Sequence, residues 1–169
     1  MTKRLTTEAL RERLKTIKLL TLDVDGVLTD GGLYYADDGS QLRKFNVKDG
    51  MGMKLAREAG VEIAIITASH APAIQHRGDG LGIPHVFVGV EHKLSALTTL
   101  CADLDISLED VAHIGDDVND LPVLCVVGVA LTVADAVDEV LETAIYATTR
   151  NGGAGAVREI CDLIVQGRG

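Results

Sequence analysis

Acidic side chains recur just beyond short apolar runs of this sequence. Asp23 and Asp25 follow Lys18-Leu19-Leu20-Thr21-Leu22, and Gly115-Asp116-Asp117-Val118-Asn119-Asp120 follows the run at 111–114. Thr67, Ser69 and His70 follow Glu62–Ile66, and Lys93 opens a helix-like stretch after the run at 85–88. In an open parallel sheet, ligands bind at the carboxyl ends of the strands, so these groups would share one edge. Carboxylates gathered there repel one another and lift each other's pKa unless a cation intervenes. Oxygen donors with few committed side chains favour Mg²⁺, which keeps waters and a substrate phosphate in its shell. The chemistry to expect is metal-assisted work on a phosphate.

Each piece alone has a plainer reading. Asp-x-Asp-Gly is a common turn, and Gly115-Asp116-Asp117 is a suitable cap for a short helix. Thr67 alone reads as a structural strand end, and Lys93 as a solvated helix-start residue. The joint pattern carries the argument, because four elements bring complementary groups to one crevice.

The elements that must position these groups follow from pattern. Between the apolar runs, which include one at 128–131, lie helix-like stretches at 52–59, 71–81, Lys93–Leu104 and 134–141. Strand and helix alternate, which implies a parallel sheet with right-handed crossovers. Leu10, Leu14 and Ile17 recur at helical spacing near the start, and a Gly-rich loop leads into a last helix within 151–165. Residues 31–47 break the alternation: two β-prone runs flank Asp37-Asp38-Gly39, the pattern of a hairpin. With 169 residues, 47% apolar, 3% aromatic and no Trp, the chain is one domain's length with an aliphatic core. The fold class expected is therefore α/β, a three-layer Rossmann-like parallel sheet.

A net charge of −9 argues against a nucleic-acid backbone or an anionic membrane surface as partner. A small anionic substrate would then need a metal or a local cation. Cys101, Cys125 and Cys161 are odd in number with no CxxC pair, and read as buried thiols in a reducing compartment. The first 17 residues mix Lys, Arg and Glu without the apolar stretch of a signal peptide. No apolar run approaches the ~20 residues of a membrane span. A soluble, cytoplasmic protein is the expectation.

Asp23-Val24-Asp25-Gly26-Val27-Leu28-Thr29-Asp30, Thr67, Lys93 and the Gly115–Asp120 motif together resemble the four motifs of the haloacid dehalogenase superfamily. The resemblance implies an aspartyl-phosphate mechanism. Asp23 would be the nucleophile and Asp25 the general acid and base. Thr67 would hold phosphoryl oxygens and Lys93 would offset developing charge. Asp23, Asp25 and Asp116 would serve Mg²⁺, with Asp117 and Asp120 orienting waters and Lys93. Such enzymes commonly carry a cap domain after the first motif or between the second and third. Here there is room only for the hairpin, residues 31–48, in a single domain spanning 1–169. The chain would be capless.

Phe45-Asn46-Val47-Lys48-Asp49-Gly50-Met51-Gly52 and Gly152-Gly153-Ala154-Gly155-Ala156-Val157-Arg158-Glu159 resemble the capless 3-deoxy-D-manno-octulosonate 8-phosphate phosphatase family. That implies a homotetramer whose hairpins complete neighbouring sites, and a substrate that is a small anionic sugar phosphate of lipopolysaccharide synthesis. Lys48, Asp49 and Arg77 are the expected substrate contacts, with Arg150 a further candidate. Two positions depart from the family pattern: Ala68-Ser69 stands where Gly-Arg is usual, and Ala154 where Arg is usual. A nine-carbon, sialic-acid-like 9-phosphate is the alternative substrate. A catalytically silent regulatory or assembly domain is the alternative from another class, disfavoured because both Asp23 and Asp25 are kept. A receiver-like domain phosphorylated on Asp is disfavoured by Asp25.

Overall fold

The computed structural model describes residues 4–169. In chain order its elements are α1 (Thr7–Leu14), β1 (Leu19–Leu22), β2 (Tyr34–Tyr35), β3 (Gln41–Leu42), α2 (Val47–Glu58), β4 (Glu62–Ile66), α3 (Pro72–Leu81) and β5 (His85–Phe87). There follow α4 (Lys93–Leu104), β6 (Val111–Gly115), α5 (Leu121–Leu124), β7 (Val129–Thr132), α6 (Asp138–Thr143), β8 (Tyr146–Ala147) and α7 (Ala156–Arg168). Six strands form one parallel sheet in the order β5-β4-β1-β6-β7-β8. The central strand β1 pairs Leu22 with Ile65 on one side and Ile114 on the other.

Strand periodicity splits the core into two layers. Leu20, Leu22, Ile63 and Ile65 pack with Met53, Ala56, Val157, Ile160 and Ile164 of α2 and α7. Their neighbours Leu19, Ala64 and Ile66 pack with Leu97, Leu100 and Cys101 of α4 on the opposite face. Sheets covered on both faces need strands that are apolar throughout, which is why β1, β6 and β7 are buried along their whole length. The expected three-layer α/β architecture is the one found.

The departures are local. The hairpin is short, pairing Tyr34 with Leu42 and Tyr35 with Gln41. Val47 and Lys48 leave it and form the first turn of α2, because the Asn46 side chain accepts the Lys48 N–H at 2.8 Å and caps the helix there. The helix expected at 134–141 begins only at Asp138. Asp135 instead turns its carboxylate to the Gly152 N–H at 2.9 Å, and the Val137 N–H goes to the Asp116 carbonyl at 3.0 Å. Strand β8, two residues long, is too short to show periodicity. Cys101 and Cys161 are buried, as expected; Cys125 is exposed. Only α3 and β5 lie between Thr67 and Lys93, and among the described residues no cap domain covers the carboxyl edge of the sheet. Among the described residues, no helix is long and apolar enough to cross a membrane.

Candidate active site

The carboxyl end of β1 is extended by the Asp23 N–H, which donates to the Ile114 carbonyl at 3.0 Å and points the side chain off the sheet edge. The chain then turns sharply, with the N–H groups of Val27, Leu28 and Thr29 all directed at the Val24 carbonyl. Gly26 sits in this turn at φ +90°, and a Cβ there would lie 1.9 Å from Asp116 Oδ2. Only glycine lets the loop after β1 come this close to the loop after β6. A third loop packs beneath: a Cβ on Gly152 would lie 1.7 Å from the Gly26 carbonyl oxygen. The Gly-rich segment before α7 thus props up the turn that carries Asp23 and Asp25.

Carboxylate oxygens of Asp23, Asp116 and Asp120 gather within 4.8 Å of one another. Lys93, the first residue of α4, reaches into this cluster. Its Nζ lies 3.0 Å from Asp23 Oδ2 and 2.6 Å from Asp120 Oδ1, with the lysine side chain only 1% exposed. Asp120 is fully buried and has no free oxygen. Its Oδ2 accepts the backbone N–H groups of Asp116 at 3.1 Å and Asp117 at 3.4 Å, while His113 Nε2 lies 3.1 Å from Oδ1. His113, wholly buried in β6, is held in turn by Thr21, whose Oγ1 is 2.8 Å from Nδ1.

The electrostatics sort these acids by role. Burial alone would raise Asp120, but the hydrogen bond and charge of His113 and the charge of Lys93 outweigh it and bring it to about 2. Burial works against the charge on Lys93 too, and Asp23 and Asp120 overcome it, so its pKa is raised and it stays an ammonium. Asp23 is raised, by burial first and the Asp120 charge second. Asp116 is pushed up to about 7 by burial and by the charges of Asp23, Asp120 and Asp117.

Asp116 Oδ1 is also a buried oxygen without a hydrogen-bond partner. A buried, unpaired acceptor among like charges is costly, and a divalent cation would relieve both penalties. The donors fit Mg²⁺, since they are all hard oxygens and Asp23 and Asp116 have capacity to spare. Asp120 would stay outside that shell, because its four contacts are already made.

The pocket above the cluster has a volume of about 270 Å³ and is lined by Asp23, Asp25, Thr67, Ser69, Asp116 and Asp117, among others. Thr67 is buried at the end of β4, and its Oγ1 accepts the Ser69 N–H at 3.2 Å. Asp117 lines the rim and caps the turn at Val118–Asp120 through its own Oδ1. Lys93 is oriented by Asp120 rather than by Asp117.

Asp25 corrects one expectation. Its carboxylate does not join the oxygen cluster; it is gripped by Arg43, whose Nε donates to Oδ1 at 2.7 Å and Nη2 to Oδ2 at 3.0 Å. The expected substrate contacts also fall elsewhere, since Lys48, Asp49 and Arg77 do not line this pocket. Lys48 is exposed in the first turn of α2. Asp49 turns inward and accepts the Arg158 N–H at 2.8 Å, tying α2 to the first turn of α7. Arg77 lies over the Phe45 ring at 5.7 Å and donates to the Asn46 carbonyl at 3.2 Å. Two participants were missed. His113 was visible as a lone imidazole inside an apolar strand, but Arg43 carries no local signal.

Comparison with known proteins agrees with this geometry. Residues 86–160 match the haloacid dehalogenase-like hydrolase family. The 3-deoxy-D-manno-octulosonate 8-phosphate phosphatase KdsC of Escherichia coli K12 is 44% identical over 157 residues, covering 93% of this chain and 84% of that one. The crystal structure of the Yersinia pestis phosphatase of the same name superposes with a TM-score of 0.92 at 43% identity, covering 94% of this chain and 86% of that one. The Moraxella catarrhalis phosphatase, crystallised with a magnesium ion, a phosphate ion and a KDO molecule, gives 0.91 at 37% identity, covering 94% and 91%. With 44% identity over most of both chains, this protein belongs to the 3-deoxy-D-manno-octulosonate 8-phosphate phosphatase family of haloacid dehalogenase-like hydrolases.

Proposed function

We propose that this chain is a Mg²⁺-dependent phosphomonoesterase that acts on 3-deoxy-D-manno-octulosonate 8-phosphate. The observation that carries the reading is the convergence of Asp23 and Asp116 on one pocket, with Lys93 Nζ 3.0 Å from Asp23 and an Asp116 oxygen left unpartnered. The relatives named for this substrate, one of them holding magnesium, phosphate and the sugar acid, support it.

Asp23 attacks phosphorus, the bond to the sugar oxygen breaks, and Asp25 gives that oxygen its proton. Asp25 then takes a proton from water as the water oxygen attacks the aspartyl phosphate, releasing inorganic phosphate and restoring Asp23. Lys93 holds Asp23 in position and offsets charge on the transferring group. Thr67 and backbone amides after Asp23 donate to the phosphoryl oxygens. Bound through Asp23 and Asp116, Mg²⁺ would neutralise the phosphoryl charge. Asp120 and His113 act from beneath by fixing Lys93.

The exposed hairpin supports a homotetramer. Leu33, Tyr34, Tyr35 and Leu42 are open to solvent, an apolar group of the kind that marks an interface. The unpaired thiols support a cytoplasmic location. The test is phosphate release from an aryl phosphate and from eight- and nine-carbon ulosonate phosphates, with and without Mg²⁺. Asp23→Asn should abolish turnover; full activity in that variant removes the nucleophile and the mechanism with it.

A further inference from the structure

Arg43 is the cation of this site that the chemistry above does not use. It follows β3 on the arm leading to α2, and its side chain is only 2% exposed. Besides gripping both oxygens of Asp25, its Nη2 donates to Ser69 Oγ at 2.9 Å and its Nη1 to Gln41 Oε1 at 3.2 Å. Ser69 is one of the positions where the family pattern calls for Arg. A guanidinium reaches this position all the same, from the hairpin arm, and the small serine leaves room for it.

The grip cannot persist through the reaction described above, on which this inference rests. A carboxyl that hands a proton to a leaving oxygen must first turn an oxygen away from the fork. Something must then take over the fork, because a buried guanidinium left unpaired is costly. The surroundings narrow the choice. Lys93 is committed to Asp23 and Asp120, and the residues lining the pocket include no other basic side chain that could meet an incoming carboxylate. Beyond Ser69 opens a cavity of about 580 Å³ between the hairpin residues Gly39, Ser40 and Gln41 and the segment Ser69, His70 and Ala71 that leads into α3. A leaving group with its phosphate at Asp23 and its body in that cavity runs past Ser69, which lines both spaces and accepts from Arg43 Nη2. The planar fork suits a carboxylate bidentately.

We propose that Arg43 recognises the carboxylate of an acidic sugar phosphate, and that this carboxylate displaces Asp25 from the fork and frees it to face the leaving oxygen. The substrate's own charge thereby switches on its acid. Neutral sugar phosphates leave the Arg43–Asp25 pair closed and are poor substrates, which makes the site selective without a cap.

The experiment compares wild type, Arg43→Gln and Arg43→Lys on an ulosonate phosphate, a neutral hexose phosphate and phenyl phosphate, in Mg²⁺. Arg43→Gln should lose roughly tenfold or more in kcat/KM on the ulosonate ester, mainly through KM, the worth of a charge-assisted hydrogen bond. It should hydrolyse phenyl phosphate faster than wild type, because Asp25 is unlocked. Arg43→Lys should recover part of the acid preference. Calorimetry with the phosphate-free sugar acid should show binding to wild type that weakens in Arg43→Gln. Equal losses on acidic and neutral esters, or an acid preference that survives Arg43→Gln, would overturn the proposal. If no ester is hydrolysed by any form, the phosphatase reading fails, and the calorimetric comparison alone decides the role of Arg43.

Discussion

Lys93 and Asp120 meet at 2.6 Å in a fully buried contact, although 27 residues separate them in the chain. Through this pair the loop after β6 fixes a cation that the loop after β1 requires. In the mechanism proposed above, catalytic charge and fold stability are therefore linked in one contact.

Lys93→Met should show that linkage. Removing one partner of a buried ion pair costs about 3–5 kcal/mol, because the other charge is left uncompensated. The variant should unfold at lower urea concentration than wild type. Its kcat on an aryl phosphate should fall by about a hundredfold or more, as loss of a preorganised electrostatic group does. Unchanged stability with lost turnover would mean that the lysine acts on substrate alone.

Asp116 gives the pH dependence. Its carboxyl titrates near 7 in the folded chain against an ordinary 3.8, so the folded state holds the proton more tightly. Its contribution to stability is fully present below 3.8 and is lost as pH rises through about 7. The metal-free protein should melt lower at pH 8 than at pH 6, and Asp116→Asn should shrink that difference. At pH 8 the variant should gain roughly 2–4 °C over metal-free wild type, as about 1 kcal/mol of relieved repulsion gives in a domain of this size. Added Mg²⁺ should raise the melting temperature of wild type and not of the variant. Metal affinity should weaken below pH 7, where protons compete for the same oxygen.

Asp49→Ala separates structure from substrate contact. Its carboxylate accepts the Arg158 N–H in the first turn of α7, so truncation uncaps that helix and should cost about 1 kcal/mol in urea unfolding. The preference for acidic over neutral sugar phosphates should stay as in wild type. A selective loss on the acidic substrate would return Asp49 to the binding site.

Tyr34→Asp with Tyr35→Asp tests assembly. Both residues are more than half exposed, at 61% and 65%, on the hairpin. Light scattering should give a tetramer for wild type and a smaller species for the double variant. A wild-type monomer at micromolar concentration would remove the tetramer.

What the sequence by itself determined is whatever rests on local pattern. Aliphatic runs punctuated by amphipathic stretches specify parallel strands and crossover helices. Residue types at the run ends mark Asp23, Thr67, Lys93 and Asp116 as occupants of one edge, because every parallel strand presents its carboxyl end on the same side. The family motifs add their roles before any coordinate is known.

The tertiary structure decided the destinations of side chains whose partners are remote. Arg43 reaches Asp25, 18 residues away, and Asp49 reaches Arg158, 109 residues away. Neither pairing leaves a trace in periodicity, since an exposed turn and a buried fork use the same arginine. The late start of α6 and the two-residue β8 were settled likewise, by Asp135 meeting Gly152 and by an edge of the sheet awaiting a strand. Strand and helix periods come from backbone geometry and are written in neighbouring residues. Which charge meets which is fixed only when packing brings distant loops within hydrogen-bond reach.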